Sequence, residues 1–198
     1  MNKDLILIIS PEQGTGGGCW NLRINQFANY INQTNQFQTK VITSPVPIFD
    51  NNILRLCKGI LVQRPLFQPM PWIKNYKELQ PKFGYKLSFE VDDAFWPIIP
   101  DYNSSSLQQR DWNAIEKIAN EQLQYFDCGI VTTQFLADYL HKHHNFWNTV
   151  IVPNTADRSI YQSFRKDFFR EKPMLISAGA SQHVLEPQPI NPQAPVGV

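Results

Sequence analysis

Near the start of the chain, a short apolar segment leads into a glycine-rich turn and then into a helical pattern. Residues 5–9 read Leu-Ile-Leu-Ile-Ile, four of the five residues 14–18 are glycine, and the helical pattern begins at Cys19. Glycine permits positive φ angles and leaves the backbone open to a close ligand. The unpaired N–H groups and positive dipole end of the following helix favour an anionic or polyhydroxyl ligand. The turn could equally serve to pack a strand closely against a helix.

Two common phosphate-binding loops do not fit this turn. A P-loop ends in Lys followed by Ser or Thr, but Cys19 and Trp20 occupy those positions. The dinucleotide pattern G-x-G-x-x-G is incomplete because residue 19 is not glycine, and no acidic residue ends the second predicted strand, where 41–44 read Val-Ile-Thr-Ser. These departures disfavour a P-loop ATPase or kinase and a nicotinamide enzyme.

Short apolar segments alternate with longer amphipathic ones along the rest of the chain. The patterns predict strands at 5–9, 39–43, 59–63, 85–90, 129–132 and 150–152. They predict helices from Trp20, from Pro71 to a stop at Gly84, over 107–126, and after a Thr133 cap. This alternation predicts a Rossmann-like α/β fold, a parallel sheet with helices on both faces.

Polar residues follow most of the predicted strands. The carboxyl ends of parallel strands lie along one edge of a sheet, and such sheets bind their ligands outside that edge. We therefore expect the following segments to line one candidate site. They are the glycine turn, 63–65, 90–93, 132–133 and 153–154.

Three acidic side chains, Glu90, Asp92 and Asp93, lie within four residues. They could hold a divalent metal, orient sugar hydroxyls or act as a base, because crowded carboxylates resist full ionisation. Alternatively, Asp92 or Asp93 caps a turn or a short helix. Arg64 could clamp a phosphate or pair with Glu90 across neighbouring strands.

The histidines at 141, 143 and 144 crowd the end of a predicted helix, with Asn145 as its cap. No carboxylate with metal-ligand spacing accompanies them, so we predict no metal site.

Charge and cysteine content limit the classes of partner. The 18 basic and 17 acidic side chains give a net charge of +1, which provides no general field for nucleic acid or an anionic membrane. The three cysteines are widely spaced and form no zinc or disulfide pattern. The apolar segment at 5–9 is too short for a signal-peptide core or a membrane span. We therefore expect a soluble, cytoplasmic protein.

Five short motifs follow one another in a characteristic order. They are G-G-G-C-x-x-x-R-I at 16–24, L-V-Q-R-P at 61–65, F-E-V-D-D-x-x-W at 89–96, V-T-T-x-x-L at 131–136 and V-P-N at 152–154. This order resembles the N-terminal lobe of glycosyltransferases related to family 4, which include bacterial and phage proteins. The resemblance covers residues 4–183.

Such enzymes have two Rossmann-like lobes, the GT-B arrangement. The C-terminal lobe mainly binds a nucleotide diphosphate sugar, the N-terminal lobe mainly binds a hydroxyl acceptor, and transfer occurs in the cleft. The resemblance implies that Gly16, Gly17 and Gly18 approach the donor's diphosphate and sugar. It gives Arg23 a phosphate-binding or structural role.

The remaining candidate residues follow from the chemistry of the predicted sheet edge, taken together with this resemblance. Glu90, Asp92 and Asp93 are the candidate catalytic residues, which would orient the acceptor or the sugar. Arg64 joins the donor-binding candidates. The others in that group are Asn154, in the turn towards the second lobe, and His183, after that lobe's first strand. No cofactor is expected besides the donor substrate.

The resemblance also predicts a domain organisation. Residues 1–165 would form the N-terminal lobe, 166–183 the crossing segment and first strand of an incomplete second lobe, and 184–198 a proline-rich irregular tail. We therefore expect a glycosyltransferase lobe whose acceptor is a glycan or, as the less favoured alternative, a modified DNA base. It would need a donor-binding lobe that is missing here or lies on a separate chain, and a homo-oligomer is the other expected assembly. The alternative is a catalytically silent binding or assembly module derived from such an enzyme.

Overall fold

Six parallel strands form one sheet in the computed structural model, which describes residues 3–11, 20–34, 36–42, 50–92 and 112–154. The strands are β1 Asp4–Ile9, β2 Phe37–Ile42, β3 Cys57–Gln63, β4 Lys86–Val91, β5 Cys128–Val131 and β6 Thr149–Ile151. Their order is β2-β1-β3-β4-β5-β6, and every neighbouring pair is parallel. The predicted Rossmann-like α/β arrangement is confirmed.

Helices connect the strands. The described α-helices are α1 Gln26–Gln33, α2 Asn51–Leu56, α3 Ile73–Phe83, α4 Trp112–Leu123 and α5 Gln134–His144. A π-helical segment, Trp20–Asn25, leads into α1, and a 3₁₀ turn, Pro65–Phe67, follows β3. Within the described ranges, no helix has the length and apolar character needed to cross a membrane.

Local capping chemistry explains where several helices start and stop. Gly84 ends α3 with a φ of 78°, a conformation that glycine adopts without strain, and donates its N–H to the Gln80 carbonyl. The Thr133 hydroxyl accepts the Leu136 N–H at 3.2 Å and starts α5. Asn145 ends α5 in the left-handed region, with a φ of 51°. All three predicted caps are confirmed.

The chain changes direction in the sheet after β2, because β3 returns to the other side of β1. Right-handed crossovers then place the helices before and after this reversal on opposite faces. On one face, Ile8 and Leu61 pack against Ile24 and Ala28 of the π-helical segment and α1. On the opposite face, alternate residues of the strands pack in a larger core with α2 to α5. The predicted helices on both faces are confirmed.

The loop after β3 is fixed by a buried amide on α4. Gln122 accepts the Met70 N–H through Oε1 at 2.7 Å. Its Nε2 donates to the carbonyls of Pro65 at 2.5 Å and Gln68 at 3.0 Å. These bonds satisfy loop backbone groups that would otherwise be buried without partners, and they hold the chain just beyond the carboxyl end of β3.

The sequence patterns did not predict α2. The other predicted and observed elements differ mainly at their ends. β2 begins at Phe37 rather than at residue 39, and β5 and β6 are shifted by one residue towards the N-terminus. The described residues all lie in the first of two units, Met1–Ser163, while Phe164–Val198 falls outside them. The predicted domain boundaries stay predictions.

Gly129 of β5 lies against an aromatic ring that has little room to move. A Cβ atom added there would lie 2.5 Å from Cζ of Phe89. The Phe89 ring is itself packed against Phe126 and Phe146, at centroid distances of 5.2 and 5.3 Å. We expect Gly129→Ala to lower the free energy of unfolding by about 1–3 kcal/mol, measured by urea denaturation, because overpacking forces the rings or the strand to shift.

Gly59 of β3 is the matched control. The atom nearest to an added Cβ there is the Lys86 carbonyl oxygen at 3.9 Å, an ordinary contact. Gly59→Ala should therefore change stability by less than about 0.5 kcal/mol. Equal losses in the two variants would show that the clash with Phe89 does not govern this position.

Candidate functional site

Three buried polar side chains lie side by side at the carboxyl edge of β1, β3 and β4. Gln63 is in register with Glu90, and Ser10 follows Ile9, the β1 residue paired with Val62. The Ser10 hydroxyl donates to Gln63 Oε1. Ser10, Gln63 and Glu90 are at most 1% exposed. This row lies at the β1–β3 switch point, where open α/β sheets bind ligands.

Arg23 of the π-helical segment reaches into this edge. Its Nε donates to Glu90 Oε1 at 2.7 Å, and its Nη1 donates to the Val152 carbonyl at 2.7 Å. The Arg23 and Glu90 side chains are only 5% and 2% exposed. Arg23 thus joins the segment before α1 to β4 and to the chain that follows β6.

Burial dominates the ionisation of Glu90. Removal from water raises its pKa most, and the nearby Asp92 charge adds to the rise. The positive charges of Arg23 and Arg64 and the hydrogen bond from Arg23 lower it, and the net result is a pKa of about 7. At neutral pH this carboxyl therefore exchanges readily between its charged and neutral forms.

A second arginine–carboxylate pair lies next to the first. Arg64 Nε lies 3.7 Å from Asp92 Oδ1, an ion pair beyond hydrogen-bond distance. The Arg64 N–H donates to the Glu90 carbonyl at 2.7 Å, and the Thr132 hydroxyl donates to the Asp92 carbonyl at 3.1 Å. Arg64 has a positive φ of 49°, which costs a non-glycine residue about 1–2 kcal/mol. The carboxyl end of β4 is therefore hydrogen-bonded to the chain after β3 on one side and to the chain after β5 on the other.

A cavity of about 390 Å³ lies between the π-helical segment, α1 and the sheet. Arg23 and Glu90 line it together with mostly apolar side chains, including Phe27, Leu61 and Ile130. This volume and this mixture of apolar wall and few polar groups are typical of small-molecule sites.

Three buried polar atoms in this region have no hydrogen-bond partner among the described residues. They are Oε2 of Glu90 and Oδ1 of Asp92, which are acceptors when ionised, and Nε2 of Gln63, a donor. An unpartnered buried polar atom costs about 1–3 kcal/mol. Glu90 lines the cavity, so its Oε2 is suited to accept a hydrogen bond from a ligand there.

The structure brings four of the predicted site residues together. Arg23, Arg64, Glu90 and Asp92 meet at the carboxyl edge, with Glu90 bonded to Arg23 and Asp92 paired with Arg64. Asn154 follows β6 at the end of a described segment. The other predicted site residues lie outside the described residues: Gly16, Gly17, Gly18, Asp93 and His183.

Sequence reasoning missed the Ser10 hydroxyl, the Val152 carbonyl that accepts from Arg23, and the cavity. The alternation of strand residues could have shown that Gln63 and Glu90 share one face of the sheet. Backbone carbonyls and cavities leave no comparable pattern in a sequence.

Across the described parts of the chain, no three His, Cys, Asp or Glu side chains form a group that could hold a metal ion. Comparison with known proteins adds no relative: no protein-family model matches the sequence, and a search of curated proteins finds no match.

Glu90 should make stability depend on pH in an unusual direction. Its folded-state pKa of about 7 lies above the unfolded value of about 4.3, so its stabilising contribution is complete below the unfolded value and is lost as pH rises through 7. Between about pH 5 and pH 8 we expect the wild-type protein to lose about 2–3 kcal/mol relative to Glu90→Gln. Urea unfolding of both proteins at each pH measures this difference.

The glutamine variant is itself expected to be less stable, because it leaves the buried Arg23 charge without a countercharge. That loss is a constant offset, so only the change with pH reports the Glu90 titration. A stability difference that stays the same at both pH values would contradict the raised pKa.

Proposed function

We propose that this chain is the acceptor-side lobe of a glycosyltransferase, which moves a sugar from a nucleotide diphosphate sugar to a hydroxyl acceptor. A separate lobe would bind most of the donor nucleotide. The observation that carries the proposal is the pair of arginine–carboxylate contacts, Arg23 with Glu90 and Arg64 with Asp92, at the switch point of a parallel sheet. The ordered motifs of the sequence support it independently.

The proposed transfer depends on positioning and on charge stabilisation. Glu90 and Asp92 would orient the acceptor hydroxyl or the sugar, because ionised carboxylates accept hydrogen bonds from hydroxyl groups. Charge developing on the leaving diphosphate would be stabilised by the N–H groups of the glycine turn and by Arg64. Arg23 would keep Glu90 in place during this step, through the 2.7 Å bond between them.

A second candidate function is a catalytically silent binding or assembly module. The contact that favours it is the one between Arg23 and Val152, since it gives Arg23 a structural task independent of any substrate. Both carboxylates are then explained as partners of structural arginines.

A transfer assay at high donor concentration separates the two candidates. If a separate lobe supplies most of the donor affinity, this chain alone should bind nucleotide sugars with a dissociation constant above about 1 mM, which corresponds to a binding free energy weaker than about 4 kcal/mol. A donor concentration of about 10 mM would still occupy the part of the donor site that this chain provides. We expect slow release of nucleoside diphosphate from UDP-, GDP- or ADP-hexoses that depends on an added glycan. Gly17→Val should abolish it, because a side chain there would block the diphosphate.

Asp92→Asn and Asp138→Asn provide a matched pair of variants for this assay. The change is chemically identical, but Asp138 is exposed on α5, where it accepts a hydrogen bond from Gln134. We expect release to fall at least about tenfold in the first variant and to stay unchanged in the second. Absence of glycan-dependent release with every donor would contradict the transferase and favour the silent module. Calorimetric binding of a nucleotide sugar tighter than about 1 mM would contradict the acceptor-side assignment.

A further inference from the structure

We infer that the acceptor is a neutral alcohol with an apolar face, whose body fills the cavity beside α1 and whose hydroxyl forms hydrogen bonds with Glu90 Oε2 and with an N–H group of Arg23. That this ligand is the acceptor of a transfer reaction rests on the proposed function. The binding site itself rests on the cavity and on its buried ion pair.

The cavity is suited to an apolar body. Phe27, Leu61 and Ile130 contribute to its walls, and Arg23 and Glu90 are the charged residues among the described residues that line it. Burial of apolar surface against such walls stabilises a complex by roughly 25 cal/mol per Å².

The ion pair selects the polar group of the ligand. Arg23 donates two of its five N–H groups to described partners, and Glu90 Oε2 has no partner among the residues described. A single hydroxyl can accept from the guanidinium and donate to Glu90 Oε2. A carboxylate or phosphate would face the charge of Glu90, and an ammonium group would face that of Arg23, so each charged ligand meets a like charge.

Two aromatic side chains favour a flat ligand face. Phe27 and Tyr30 line the cavity, yet they are 36% and 69% exposed. A sugar ring, an alicyclic ring or an aromatic ring would cover these surfaces. The ligand class is therefore a ring-bearing neutral alcohol, of which a glycoside is one member.

Three probes that share a ring and differ in the polar group test this selection. They are benzyl alcohol, benzoate and benzylammonium, titrated at about pH 8, where Glu90 is mostly ionised, into the ¹⁵N-labelled protein and followed by amide chemical shifts. We expect shifts near Leu61 and Ile130 with benzyl alcohol, and an affinity at least about tenfold above that of either charged probe. Equal affinities for the three probes, or shifts elsewhere, would overturn the inference.

Two tryptophan variants locate the site. Ile130 of β5 lines the cavity, whereas Val150, its partner in register on β6, is half exposed and is not among the lining residues described. Ile130→Trp should fill the cavity and abolish benzyl alcohol binding, while Val150→Trp should retain it. Retained binding in Ile130→Trp would overturn the proposed location.

Glu90→Gln keeps the inference testable if Ile130→Trp fails to fold. Removal of the carboxylate charge leaves Arg23 without a countercharge, so benzoate should now bind more tightly than benzyl alcohol. An unchanged order of affinities would show that the ion pair does not select the ligand.

The outcomes separate this inference from the proposed function. Selective alcohol binding without glycan-dependent release of nucleoside diphosphate would retain the site and reject the transferase. Glycan-dependent release that Ile130→Trp leaves intact would retain the transferase and reject this acceptor site.

Discussion

The contact between Arg23 and Glu90 connects parts of the chain that the sheet alone would not hold together. Arg23 lies before α1, Glu90 lies near the end of β4, and the second acceptor of Arg23 is the Val152 carbonyl beyond β6. Because both side chains are almost fully buried, loss of either partner leaves an uncompensated charge, which typically costs about 3–5 kcal/mol. The position of the π-helical segment over the sheet therefore depends on this pair.

The same contact gives the cavity its chemical character. The apolar walls come from α1 and from the sheet, whereas the ion pair provides an acceptor and donors at a fixed place among them. The low polarity that raises the pKa of Glu90 also strengthens any hydrogen bond made to it. Structural and ligand-binding roles for Arg23 and Glu90 are thus compatible, because each side chain uses some of its polar atoms for contacts within the fold and has others that a ligand in the cavity could bind.

Much of the fold could be predicted from local patterns. Apolar alternation indicated the six strands, and the chemistry of Gly84, Thr133 and Asn145 indicated where helices begin or end. The rule for parallel strands also placed Arg64 and Asp92 at one edge. The side-chain partners were not predicted. The sequence offered Glu90 as one partner of Arg64, whereas the structure has an ion pair between Arg64 and Asp92 and a hydrogen bond from Arg23 to Glu90. Arg23 lies 67 residues from Glu90, on a π-helical segment that a regular helical pattern does not reveal. The glycine turn, from which the functional hypothesis began, lies outside the described residues and stays a prediction.

The position of β1 between β2 and β3 has a consequence for synthesis on the ribosome. β1 is made before the other described strands, but one of its two neighbours in the sheet is β3, which ends at Gln63. At about 5–20 residues per second, translation needs roughly 3–10 s to make the fifty or so residues between the ends of these strands. During that interval an apolar edge of β1 stays unpaired, and unpaired strand edges promote aggregation. The arrangement that centres the candidate site on β1 and β3 therefore exposes the nascent chain to association with other chains before the site can form.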